Sequence, residues 1–145
     1  YYKNPKWGMA LVALAGPLSN IITAFIALLL HYIIYTVLIL VNASVAVLNV
    51  YVYFAFFFST VAQINVYLAV FNLIPIPPFD GSRILFTFLP QKYYFKIMQY
   101  ERYIFVVLFV LLYLGIFDAP ISFLSNGILN AINSLARFPL KLFGV

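Results

Sequence analysis

Residues 71–85 read FNLIPIPPFDGSRIL, and the fold turns on this stretch. A long apolar run ends in three prolines within four residues, followed at once by an aspartate and a glycine. Pro75, Pro77 and Pro78 each lack an amide hydrogen, and each pushes the residue before it out of helical geometry. The backbone over about 73–79 is therefore expected to be extended, with a helix restarting at Asp80-Gly81-Ser82 and Asp80 placed as its cap. At membrane depth such a break is tolerated only where protein covers it or where it lines a wet cavity. Asp80 thus has two readings: a helix cap in an interfacial loop, or an ionisable group marking a functional site.

Composition sets the solvent. Of 145 residues, 66% are hydrophobic and 8% charged, against about 25% charged in an ordinary soluble domain. Asp80, Glu101 and Asp118 are the only acidic residues. The chain reads as all-α, a multi-pass transmembrane helical bundle with a proline-broken segment between its second and third spans. The net charge of +5 reports orientation rather than nucleic-acid binding, because no basic cluster is interleaved with exposed aromatics. With no cysteine, disulfides and thiolate metal sites are excluded.

Spans are expected at about 8–41, 45–71 and 84–117, the last most apolar over 103–117, all within one membrane domain covering 1–145. Each of the first two exceeds the roughly 20 residues that cross a bilayer. Pro17 is expected to split the first, leaving 8–16 as a lead-in and 17–41 as the crossing proper. A final helix at about 121–138 repeats Ile121, Leu124, Ile128, Ile132 and Leu135 at helical spacing, opposite a strip of Asn126, Asn130 and Asn133. It either lies at the interface or spans while packed against protein. Lys3 and Lys6 precede the first span, and Arg83, Lys92, Lys96 and Arg102 separate the second from the third. The connections 42–44 and 118–120 carry no Lys or Arg. The positive-inside bias then places these basic loops, and Asp80 with them, towards the cytoplasm of a cell-membrane protein. Arg137 and Lys141 fit only if the last helix spans.

Two helix faces carry small or amide side chains. Ala13, Gly16, Asn20, Ala24 and Ala27 form a seam on the first segment. Ser59, Ala62, Asn65, Ala69 and Asn72 share a face that leads into the proline segment. Such faces commonly serve close packing between membrane helices.

GMALVALAGPLSN (residues 8–20) and FNLIPIPPFDGSRIL together resemble the site-2 protease family of intramembrane zinc metalloproteases, peptidase family M50, in its compact prokaryotic form. Glu101-Arg102-Tyr103 is similar to the same subgroup. The resemblance implies hydrolysis of peptide bonds in or near transmembrane segments of membrane proteins. In that family an HExxH helix supplies two histidine ligands and a glutamate base, and the aspartate of the Asp-Gly pair is the third Zn2+ ligand. Carried over, that ligand is Asp80, and Asn72 stands where an asparagine helps to bind substrate backbone. Gly81, Pro78, Gly16, Pro17 and Asn20 fall in the motifs as structural support.

No HExxH occurs here, and the only histidine is His31. It lies roughly 36 Å along the first helix from Trp7 by helical rise and is read as an interfacial residue rather than a ligand. No catalytic residue is therefore assigned within this chain, which by itself is expected to be inactive. Either further N-terminal helices of the same protein supply HExxH and pack on the small-residue seam, or the chain is a non-enzymatic scaffold or transporter-like subunit. The expected partners are the lipid bilayer, transmembrane substrates and those N-terminal helices, with no nucleic acid.

Overall fold

The computed structural model describes residues 5–144; Lys3 of the topology argument lies outside them. Seven helices follow in order: α1 (Pro5–Leu40), α2 (Val45–Asn72), α3 (Asp80–Phe88), α4 (Gln91–Gln99), α5 (Glu101–Tyr113), α6 (Asp118–Ala136) and α7 (Phe138–Phe143). No strand occurs among the described residues. Two helices, Gly8–Leu40 and Val45–Asn72, are long and apolar enough to cross a membrane. A third crossing is counted if α5 and the helices after it act as one broken span. Large apolar side chains such as Leu11, Leu18, Ile22, Val52, Phe54 and Phe56 are exposed, which suits a lipid-facing surface.

Pro17 does not split the first segment. It lies inside α1, which runs unbroken for 36 residues, and its side chain is fully buried. A proline removes one helical hydrogen bond and crowds the carbonyl four residues back. Here that residue is Ala13, too small to add a further obstacle, and helices in apolar surroundings carry an interior proline when neighbouring protein covers it. α1 ends where Asn42 takes a left-handed conformation (φ 49°). Ala43 N–H then bonds Leu38 O at 2.9 Å and Asn42 N–H bonds Ile39 O at 3.0 Å, closing the last carbonyls as a helix C-terminus requires. Asn is among the few residues that accept this geometry.

The stretch 84–117 contains the end of α3, all of α4 and all of α5. Leu89 is extended (φ −89°, ψ 144°) because Pro90 follows it, and that separates α3 from α4. α5 stops at Gly115, whose φ of 72° suits a residue without Cβ.

The chain forms two compact units. Residues 5–19 with Leu68–Leu124 make the first, and Asn20–Tyr67 with residues 125–144 make the second. In the first, Ala10, Ala13, Ala69, Val70, Phe86 and Leu108 are buried. In the second, Ala24, Ala27, Leu28, Ala62, Val66, Ile132 and Ala136 are buried. The alanines of both small-residue faces are thus inside, as backbone-close helix packing demands.

Candidate functional site

The first unit contains the proline segment, and its backbone is more compact than the expected extended run. Ile76 N–H bonds Ile74 O at 2.8 Å and Phe79 N–H bonds Ile76 O at 3.0 Å. The second of these closes a β-turn around Pro77 and Pro78, whose shared peptide is cis. The three prolines bar a helix, but the amides of Ile76 and Phe79 remain available, and they fold the segment into successive turns instead of a strand. The rings of Phe71 and Phe79 meet edge to face at 4.4 Å, joining the end of α2 to the start of α3.

α3 begins at Asp80, but its cap position is Phe79 (φ −71°, ψ 154°), and no side chain caps it. Asp80 is therefore not the cap that the spacing suggested. Ser82 Oγ donates to Phe79 O at 2.7 Å, a carbonyl that also accepts the Ser82 amide at 3.1 Å; this bond pins the first turn without capping its amides. The Asp80 carboxylate sits in the first helical turn, where the helix dipole favours an anion. Its one ion pair is loose: Arg83 Nε lies 4.0 Å from Oδ1, with 54% and 38% of the two side chains exposed. Among the described residues no hydrogen bond engages either carboxylate oxygen.

Two glycines fix where that carboxylate goes. A β-carbon on Gly81 would collide with the backbone of the preceding turn, reaching Leu73 O, coming within 2.5 Å of Leu73 C and within 2.6 Å of Ile74 O. Only a residue without a side chain lets α3 start directly on those carbonyls. On α1, a β-carbon at Gly16 would lie 3.3 Å from Asp80 Oδ2. The carboxylate is thus turned towards α1, into the gap that Gly16 leaves.

Of the other motif residues, Pro17 is buried next to Gly16 on α1, and Pro78 stands in the turn before Asp80. Asn72 is the last residue of α2 and half-buried, with no partner for its amide among the described residues. Asn65 differs: its Nδ2 donates to Val61 O at 2.8 Å on its own helix. Asn20 falls in the second unit. Among the described residues no three His, Cys, Asp or Glu side chains come close enough to hold a metal ion together. Asp80 alone offers one anionic oxygen ligand.

The second unit holds a polar network that the sequence reading did not assemble. Tyr51 Oη lies 2.8 Å from His31 Nδ1 and donates to His31 O at 2.5 Å. The imidazole stacks on Tyr51 at 5.8 Å and on Tyr35 at 6.4 Å. Tyr32 Oη donates to Asn133 Oδ1 at 2.6 Å and accepts from Arg137 Nε at 3.0 Å, so α6 is tied to α1 through Asn133, one member of its asparagine strip. The signal was present in that strip and in the tyrosines around His31. What was missing was which helices face each other.

Residues 36–115 match the model of peptidase family M50. A Bacillus subtilis protein provisionally named zinc metalloprotease YwhC is 37% identical over 113 residues, covering 77% of this chain and 48% of its own length. A Methanocaldococcus jannaschii protein with the same provisional designation, MJ0611, is 38% identical over 74 residues, covering 51% of this chain and 31% of its own length. The chain therefore spans about half the length of the first relative and less of the second. No solved structure matches it.

Proposed function

The chain belongs to peptidase family M50, and on that premise we propose that the full-length protein is an intramembrane zinc metalloprotease to which this chain contributes Asp80 as the third protein ligand. The observation that carries the reading is the placement of Asp80. Its carboxylate caps no helix, holds Arg83 only at 4.0 Å, and is turned towards α1 at Gly16. A carboxylate so held, in a chain with three acidic residues, is available to a cation. The relatives' provisional names include zinc, and a tetrahedral zinc centre with three protein ligands keeps one open position.

Asp80 would hold the metal through its carboxylate, with the two histidines contributed by residues outside this chain. When bound, zinc supplies Lewis-acid activation of water and of the scissile carbonyl. Gly81 seats α3 on the carbonyls of Leu73 and Ile74 and so fixes the carboxylate's direction; Gly16 keeps the facing wall open. Asn72, with no partner on its amide, would hold the backbone of an unwound substrate segment by its donor and acceptor. Substrates are then transmembrane segments of other membrane proteins, cut towards the cytoplasmic side of the cell membrane.

The test is Asp80→Ala in the full-length protein. Wild type is expected to bind about one zinc per molecule and to cleave a transmembrane reporter; the variant is expected to lose most of both while keeping its helical content. Undiminished zinc content and cleavage in that variant would overturn the assignment.

A further inference from the structure

The second unit contains a cavity of about 300 Å³ whose walls come from α1, α2 and α6. His31, Tyr32, Ser59, Gln63, Asn126, Asn130 and Asn133 supply its polar lining. Part of that wall is already set in place: His31 is held by Tyr51, and Asn133 by Tyr32. Gln63, Asn126 and Asn130 are exposed, and none has a hydrogen-bond partner among the described residues.

Depth makes this notable. α2 has 28 residues and is about 42 Å long by helical rise. Gln63 lies only about 7 Å past its midpoint, inside a hydrocarbon layer about 30 Å thick. Unpaired amides are costly there, since lipid offers no hydrogen bond. Neither anion nor ammonium lines the cavity; Arg137 is turned to the hydroxyl and ring of Tyr32. A charged guest would find no counter-ion, so the fitting guest is neutral.

The guest must also both donate and accept. Tyr51 has one hydroxyl proton, and its shorter contact, 2.5 Å, is to His31 O. His31 Nδ1 then carries the hydrogen that bonds Tyr51 Oη, which leaves Nε2 as an acceptor. The amides of Gln63, Asn126 and Asn130 present both donors and acceptors. A volume of 300 Å³ takes one side chain with a few waters, at about 30 Å³ per water. It cannot take a helix about 10 Å across.

We infer that this cavity is a docking site for a mid-membrane carboxamide, an Asn or Gln side chain carried by a transmembrane helix of another protein. The helix packs on the outside of the unit and inserts the amide alone. The site is separate from the Asp80 proposal and needs neither metal nor cleavage.

The test reconstitutes the full-length protein, donor-labelled, in phosphatidylcholine vesicles with acceptor-labelled leucine-rich transmembrane peptides. One peptide carries a single central Asn, the other Leu throughout. The Asn peptide is expected to associate about five-fold more tightly, the scale of one interhelical hydrogen bond in a membrane. Gln63→Leu with Asn130→Leu is expected to erase that preference while helical content is unchanged. Equal association of the two peptides with the unaltered protein overturns the inference without recourse to any variant. So does an Asn preference that survives the double substitution. Energy transfer between two differently labelled copies that disappears in the same double variant would assign the cavity to self-association, and would equally overturn it.

Discussion

Gly16 of α1 lies against the carboxylate of Asp80, the first residue of α3: a β-carbon on Gly16 would stand 3.3 Å from Oδ2. Sixty-four positions separate them in the chain (80 − 16), yet the size of one sets the position of the other. A distance of 3.3 Å is tight for a methyl, so Gly16→Ala should shift the carboxylate slightly and Gly16→Leu should expel it. We expect Gly16→Leu to lower zinc affinity of the full-length protein by about 10- to 100-fold, as loss of an outer-shell support does, with far-UV circular dichroism unchanged. Metal analysis showing wild-type affinity would remove Gly16 from the site.

Gly81→Ala tests packing rather than chemistry. Its β-carbon would meet backbone atoms of Leu73 and Ile74, which cannot swing aside as a side-chain tip can. Overpacking of this kind costs about 1–3 kcal/mol. Denaturant titration in detergent should show that loss, and zinc binding should weaken with it because α3 can no longer seat Asp80.

Arg83→Ala should do little. The pair with Asp80 is long at 4.0 Å and both side chains are well exposed, a setting in which ion pairs contribute about 1 kcal/mol or less. Stability and cleavage within about two-fold of wild type are expected; a collapse of cleavage would instead make the guanidinium part of the reaction.

Tyr51→Phe removes the hydroxyl that ties α2 to the ring and carbonyl of His31. The carbonyl can fall back on its own helix, whereas Nδ1 cannot, so the net loss should be about 1–2 kcal/mol. Thermal unfolding in detergent reads it. Unchanged stability would mean that ring stacking on residue 51 and on Tyr35 holds the imidazole without the hydroxyl.

Gly115→Ala should cost about 1 kcal/mol in the same assay. The φ of 72° at this residue lets Ile116 N–H return to Leu111 O at 3.2 Å and close α5, and a β-carbon there would also stand 3.0 Å from Asp118 Oδ2. Gly127, with nothing within 4 Å of an added β-carbon, is the matched control and should tolerate Ala.

The all-α, membrane-compatible class of the molecule was legible in its residues alone. Long apolar runs with few charges favour helices, which satisfy their own backbone groups in lipid, and α2 ends at Asn72, ahead of the prolines at 75, 77 and 78. The Asp-Gly pair after them singled out Asp80, and the small residues on α1 marked the face that is buried. How those pieces act on one another depended on the packing of the helices. Pro17 was overridden because a single lost hydrogen bond is tolerated when the ring is buried. The cap position fell on Phe79, and no side chain caps α3, a one-residue shift of the helix start that spacing does not specify. The facing of Gly16 on Asp80, and the meeting of α6 with His31 and Tyr32, join residues far apart in the chain. Contacts of that range follow from how helices rotate and pack, which periodicity along one helix does not record.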